Sequence, residues 1–414
     1  MSLRRRFTSV AAAGVAFQGG SAAVDSATIV SALILQLTGS VPLVGAVVTI
    51  LRVGWLFPQL FVGFLAQRGS SSRRYYFFGA FGRAACIAAI ACLLFYGAAW
   101  SPFSLGIAVM ALWTIYAFVS GIVAVPYNDM VARAVPSDLR SRLLATRFFG
   151  GGLLALAVAA YADNVLATAT FPISYSVIFA IAAALMLVSS VAFVSMGDPP
   201  SATSEKQITT FVEYLREGRK VFRSDTQFRL FVFAQWCGGF VLMAMPFYVV
   251  HVSVVGFDLQ RVAILLGAQT AGALISNFLW GWWGDRFGKS SLLRGISAGR
   301  IVPPTAIVVL TLVPSLCGDN DVALFAGIFF LLGALANGLT IAVIGFLMEI
   351  SPDSLRPAYS GYFNALTAPA YLLPLVAGVV AEIVGLLPIF LVSAVAAAMQ
   401  FLIVSKIERS QPSR

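Results

Sequence analysis

Twelve apolar stretches run through the chain, each long enough as an α-helix to cross the hydrocarbon core of a bilayer, which takes about 20 residues. They lie near 10–37, 42–66, 76–99, 103–126, 143–162 and 172–195, then near 228–251, 261–283, 291–313, 322–347, 358–384 and 387–405. Backbone groups in lipid have no water to bond, so a spanning segment of this length satisfies itself as a helix. Composition agrees: 59% of residues are hydrophobic and 11% charged, whereas a soluble domain carries roughly a quarter charged residues. The expected fold class is an all-α polytopic membrane protein, six spans plus six. The division is a bundle over 1–197, a polar connection over 198–227 and a bundle over 228–414.

Orientation follows from Lys and Arg, which collect on the cytoplasmic side. Arg4 to Arg6, Arg73, Arg74, Arg133, Arg140, Arg142, Arg216, Arg219, Lys220, Arg223, Arg286, Lys289, Arg294, Arg356 and Lys406 all fall in alternate connections. The intervening ones offer Asp163, Asp258, Asp319 and Asp321, with Arg261 as the single base. Both termini are therefore expected in the cytoplasm, in an inner (cytoplasmic) membrane. The net charge of +10 is a topology signal and implies no nucleic-acid partner. The basic start followed by an apolar run imitates a cleavable signal, but the apolar segment continues past Asp25 to Leu37, a full crossing. Cys86, Cys92, Cys237 and Cys317 show no paired spacing, so neither a disulfide framework nor a metal site is expected. Between the halves, Ile208, Phe211, Val212, Leu215 and Phe222 recur at helical spacing opposite charged residues, which predicts an amphipathic helix. Ser204 to Gln207 has capping-box spacing at its start.

The halves repeat. Gly63-Phe64-Leu65-Ala66-Gln67-Arg68 matches Gly281-Trp282-Trp283-Gly284-Asp285-Arg286 at an offset of 218, and Gly82-Arg83 matches Gly299-Arg300 at 217. Gln18 matches Gln235 at 217, and Pro136 to Arg140 matches Pro352 to Arg356 at 216. A duplicated six-span unit is a signature of transporters that hold substrate between repeats. Residues 281–289, ending Asp285-Arg286-Phe287-Gly288-Lys289, resemble the G-x-x-x-D-R-x-G-[RK] loop of the major facilitator superfamily, and lie after the eighth span as in that family. The first-half copy departs from it, with Gln67 in place of the Asp. The resemblance implies a fold of two pseudo-symmetric six-helix bundles and a cytoplasmic gate. Arg68, Asp129, Arg140, Gly281, Asp285, Arg286, Gly288, Glu349 and Arg356 are its candidate members. Asp285 is expected to pair with Arg286, Arg356 or a neighbouring helix N-terminus, Glu349 with Arg286, and Asp129 with Arg68. Pro126-Tyr127-Asn128 followed by Asp138, Arg140, Arg142 and Arg147-Phe148 is similar to melibiose-type cation symporters. Their paired aspartates in the second span are absent here, where the span offers Arg52.

An ionisable residue deep in a span is costly and by default functional. Asp25 and Arg52 fall near the middle of the first and second spans. Asp25 is expected to carry the coupling proton or meet a cationic group, with Arg52 as its partner or as an anion ligand. The other reading is a permanent ion pair that fixes packing. Gln18, Ser21, Asp25 and Thr28 share one helix face. With Trp113, Tyr116, Ser120, Gln235, Asn337, Asn364 and Tyr371 they are the candidate cavity lining, though polar residues in spans also serve as interhelical contacts. Arg83 and Arg300, being repeat-related, are expected to serve the scaffold. Pro246, Pro303-Pro304, Pro369 and Pro374 are expected to bend or break helices.

The sequence thus predicts a monomeric secondary transporter of a small solute, coupled to protons through Asp25. No cofactor, bound metal or catalytic cluster is expected. Uncoupled facilitation or export, and a non-transporting or lipid-handling role, are the competing readings.

Overall fold

A computed structural model describes residues 2–26, 28–67, 72–197, 210–257, 259–316 and 321–409. Among the described residues the regular structure is helical, with no strand. The elements are α1 (Leu3–Ala23), α2 (Ile29–Thr38), α3 (Val41–Gln67), α4 (Ser72–Tyr96), α5 (Pro102–Gly121), α6 (Ala124–Ala134), α7 (Ser137–Thr168), α8 (Ile173–Val194) and α9 (Phe211–Ser224). There follow α10 (Thr226–Leu242), α11 (Met245–Val254), α12 (Leu259–Arg286), α13 (Lys289–Gly299), α14 (Val302–Leu312), α15 (Asp321–Ile350), α16 (Arg356–Thr367), α17 (Leu373–Val384) and α18 (Leu387–Arg409). Ten segments among the described residues are long and apolar enough to cross a membrane. The first and eleventh expected spans are not among them.

The interruptions have different causes. α14 opens with Pro303 and Pro304 in its first turn, where a missing N–H costs nothing. Pro369 lies in a 3-10 turn, Ala368–Leu372, between α16 and α17, and Pro246 stands at the start of α11. The break between α1 and α2 contains neither Pro nor Gly. There Asp25 turns its carboxylate onto Thr28 and so supplies the start of α2.

Two compact units emerge. One comprises Met1–Pro136, Thr146–Tyr214 and Ser351–Ala365; the other comprises Ser137–Ala145, Leu215–Ile350 and Leu366–Arg414. Each unit therefore contains one helix start contributed by the other half of the sequence. α7 begins in the second unit and continues in the first, while α16 does the reverse.

In the first unit α2, α4, α5 and α8 bury Val30, Leu33, Ile87, Ile90, Trp113, Phe179 and Met186 against one another. In the second, Tyr248, Phe325, Phe329 and Phe390 fill the core. His251, the single histidine, is buried against the rings of Phe325 and Phe390. Helices in lipid gain little from the hydrophobic effect and associate through close packing at small residues. α12 and α15 illustrate this: a Cβ on Gly333 would come within 1.8 Å of the Gln269 carbonyl, and one on Gly272 within 2.0 Å of the Phe330 carbonyl. Large apolar side chains such as Phe57, Phe78, Phe278, Ile383 and Leu402 are exposed, as lipid-facing residues are.

Of the amphipathic connection, α9 is described and has Tyr214 on its buried face. Residues 198–209, with the capping-box spacing of Ser204 to Gln207, lie outside the described residues.

Candidate functional site

The break in the first span is the first functional feature. Asp25 Oδ1 accepts from both the backbone N–H and the hydroxyl of Thr28, 2.9 Å each. This is a capping arrangement, which satisfies a donor at the start of α2 and sets negative charge at its positive end. Ser31 Oγ donates to the Ser26 carbonyl at 2.7 Å, satisfying a further group of the break. Asp25 and Thr28 are exposed, and Gln18 and Ser21 half-buried, on the preceding stretch of α1. Arg52 on α3 is exposed. Where the chain unwinds, Asp25 meets a local donor pair on Thr28.

Deeper in the same unit lies a cationic group that the expected site did not include. Arg147 on α7 lays its side chain across Gly14 of α1, where a Cβ would meet Arg147 Cγ at 2.2 Å. One turn further along both helices, the side chain of Gln18 crosses Gly151 in the same way. Arg147 Nη1 donates to Tyr127 Oη at 2.9 Å. Arg83 on α4 is buried, lies 4.2 Å from the centre of the Phe17 ring and bonds Tyr76.

Other expected lining residues are tied into packing. Trp113 is sealed in the core and donates Nε1 to the Val47 carbonyl at 3.0 Å. Tyr116 stacks on it and bonds Ser120, itself buried. Trp113 and Tyr116 belong to the core of the first unit, with Ser120 buried beside them. Asn337 on α15 donates to the Ala273 carbonyl at 3.0 Å, a carbonyl that Asn277 also uses at 2.7 Å, so it staples α15 to α12. Asn364 bonds Gln59, a fully buried amide of α3. Gln235 is half-buried and its Oε1 has no hydrogen-bond partner among the described residues. Tyr371 lies in the 3-10 turn between α16 and α17.

The turn between α12 and α13 is built around one carboxylate. Asp285 Oδ1 accepts from Ser141 N–H at 2.9 Å and Oδ2 from Arg142 N–H at 2.8 Å. Lys289 Nζ donates to Asp285 at 2.9 Å, to the Gly284 carbonyl at 2.8 Å and to the Ser137 carbonyl at 2.6 Å. The Asp285–Lys289 pair thus clamps the opening turns of α7 through backbone groups alone. Gly281 lets Ala145 approach, since a Cβ there would lie 2.8 Å from the Ala145 Cβ. Gly288 has φ +87°, a conformation glycine takes without strain. Arg140 and Glu349 both lie within electrostatic range of Lys289.

Of the partners expected for Asp285, the neighbouring helix start is the one it meets, through the N–H groups of Ser141 and Arg142. The base beside Asp285 is Lys289, four residues on, not Arg286 or Arg356. Arg286 follows immediately in sequence, projects to the exposed side and stacks over Trp282 and Phe287 at 5.8 Å from each ring. Arg356 is buried in the other unit and paired with Asp353. Asp129 is held by Ser72 Oγ at 2.6 Å and by Arg133; its expected partner Arg68 lies outside the described residues.

In the first unit, Tyr214 of α9 lies against Gly63 of α3 and Gly361 of α16. A Cβ on Gly63 would meet Tyr214 Oη at 2.5 Å, and one on Gly361 at 2.6 Å. The Tyr214 hydroxyl has no hydrogen-bond partner among the described residues, whereas its backbone carbonyl accepts from Tyr362 Oη at 2.8 Å.

Comparison with known proteins agrees with this architecture. The sequence model described as Major Facilitator Superfamily matches residues 11–299 and 253–414. The chain belongs to the Major Facilitator Superfamily. Uncharacterized proteins of Mycobacterium bovis and Mycobacterium tuberculosis are 25% identical over 244 residues, 58% of this chain and 46% of theirs, so the match spans about half of those relatives' length. Among solved structures, a bacterial homologue of the iron transporter ferroportin in an outward-facing state is similar with a TM-score of 0.74 and 13% identity, covering 99% of this chain and all of that one. The Escherichia coli fucose:proton symporter FucP gives 0.73 and 16% identity, with all of both chains covered. The proton:xylose symporter XylE gives 0.69 and 13% identity over 99% of this chain and 96% of that one. At these identities the likeness establishes the twelve-helix superfamily fold.

Within that fold, sequence reasoning missed Arg147, Arg83 and Gln59 as neighbours of the expected polar residues. Arg147 carried a usable signal, being a charged residue inside the fifth expected span. The contact of Gln59 with Asn364 joins residues 305 apart and carried none.

Proposed function

We propose that the protein is a secondary active transporter that moves a small solute by alternating access, coupled to protons through Asp25. The observation that carries this reading is the interrupted first span. Unwound backbone at membrane depth is tolerated where it lines a cavity or is buried in protein, and discontinuous helices are where transporters bind substrate and coupling ions. Here the interruption exposes a carboxylate, Asp25, beside half-buried Ser21 and Gln18.

The clamp at Asp285 supports a switching role for the helix starts. α7 begins in the second unit, at Ser137–Ala145, and continues in the first. On the expected topology this clamp is cytoplasmic, and both termini lie on that side of the inner membrane. The protein works as a monomer with no cofactor.

The test is uptake into proteoliposomes. Asp25→Asn should abolish accumulation driven by a pH gradient while leaving solute counterflow intact. Driven uptake unchanged by Asp25→Asn would end the coupling assignment and leave an uncoupled facilitator.

A further inference from the structure

We propose that Arg83 and Arg147 form an anion subsite, and that the transported solute carries a carboxylate or a phosphate-type group. The proposal rests on the transporter reading for its substrate role and on the following contacts for its chemistry.

Arg83 is 5% exposed. Its neighbours in electrostatic range are Tyr76, Tyr116 and Arg147, none of them a carboxylate. Its Nε has no acceptor among the described residues. The Nε of Arg147 is likewise buried without an acceptor, and the one hydrogen bond recorded for its guanidinium goes to a neutral phenol, Tyr127. The carboxylate on neighbouring α6, Asp129, is held by Ser72 and Arg133 instead. Two guanidiniums therefore repel one another inside a membrane-spanning unit, cushioned by aromatic faces: Phe17 at 4.2 Å from Arg83, and Tyr127 and Phe148 at 5.0 and 5.6 Å from Arg147. Burying like charges without a counter-charge is unfavourable, and guanidinium does not shed its proton to escape it.

The repeat provides an internal comparison. Arg300, which corresponds to Arg83, is equally buried, yet its guanidinium is matched by Gln400 Oε1 at 2.6 Å and the Gly238 carbonyl at 3.2 Å. The scaffold can thus neutralise this position with amide oxygens, and in the second unit it does. In the first unit it leaves donors open and adds a second cation. Planar donors left open in a low-dielectric setting suit a carboxylate or phosphate oxygen. Arg147, Tyr127 and Gln18 are half-buried. A solute would meet Arg147 with its anionic group, Gln18 one turn further along α1 with its polar body, and Asp25 about two turns beyond that.

The experiment measures binding and transport separately, with the full chain in neutral detergent and in proteoliposomes at fixed ionic strength. The probes are pyruvate, succinate, inorganic phosphate, dihexanoyl phosphatidylglycerol and, as neutral comparators, glucose and xylitol. The expected result is that one or more anionic probes bind, that Arg147→Gln weakens binding at least tenfold, and that Arg147→Lys keeps it within about threefold. Arg216→Gln, on the exposed face of α9, should change nothing. Retained thermal stability of Arg147→Lys guards against a folding defect. Preference for the phosphatidylglycerol over free phosphate would assign the subsite to a lipid headgroup and keep its anionic chemistry. Binding of neutral probes alone, unaffected by Arg147→Gln, would overturn the anion subsite while leaving transport standing. Anion binding without flux of any probe would keep the subsite and sink the transporter reading.

Discussion

Lys289 holds Asp285 at 2.9 Å across the turn between α12 and α13, with 2% and 7% of their side chains exposed. A buried pair like this adds little net stability over an apolar replacement, but removing one partner strands the other. Asp285→Ala should lower stability by about 3–5 kcal/mol, read as a fall in the unfolding temperature in detergent. Asp285→Ala combined with Lys289→Met should recover much of that loss. Additive losses in the double variant would show that the two residues act independently.

Tyr214 gives a second prediction, with a pH sign. Its hydroxyl is wedged between Gly63 and Gly361 without a hydrogen-bond partner among the described residues. Burial holds its ionisation well above the ordinary tyrosine range, and nearby Tyr362 acts in the same direction. The contribution of the neutral phenol is therefore intact below about pH 10, the ordinary value, and falls as pH rises from there. Tyr214→Phe should unfold no more easily than wild type at pH 7 and should be less sensitive to alkali. A Phe variant that loses several degrees at pH 7 would mean the hydroxyl is bonded after all.

How much of this was readable from residues differs by feature. The spans, the repeat and the 281–289 loop were legible because period, length and spacing are local properties. A helix-start partner for Asp285 was also anticipated, since an acid at one helix end suits another helix's N–H groups. The identity of the base was not, because Arg286 is the immediate neighbour in sequence, whereas the chain turns at Gly288 and brings Lys289, four residues on, to the carboxylate. The break at Asp25 lacked the Pro or Gly that usually marks one. Tyr214 between Gly63 and Gly361, and Arg147 across Gly14, are contacts between distant segments, which no spacing rule encodes.

Gly333 tests the packing of α12 against α15. A methyl group there would overlap the Gln269 carbonyl at 1.8 Å, and backbone cannot step aside as a flexible side chain can. Gly333→Ala should cost about 1–3 kcal/mol or more and lower the yield of folded protein. Gly378→Ala, where nothing lies within 4 Å, should be neutral. Equal behaviour of the two variants in a thermal-unfolding assay would contradict the close helix contact.

Asp25 separates a structural from a coupling role. As a cap for α2 it can be replaced by Asn at little cost, while Ala should lose about 1 kcal/mol. Thermal unfolding of the two variants should therefore differ, although both lose the titratable group. If Asn destabilises as much as Ala, the loss of proton coupling in Asp25→Asn would be a folding effect.

The most direct test of the account is current recorded from proteoliposomes on a solid-supported membrane while neutral, anionic and cationic solutes are added in turn across a pH gradient. Transport coupled through Asp25 predicts accumulation of at least one labelled class driven by the pH gradient, with a current wherever the solute and its protons carry net charge, present in the wild type and absent in Asp25→Asn of equal stability. A folded wild-type protein that carries no current and no labelled solute of any class would contradict it.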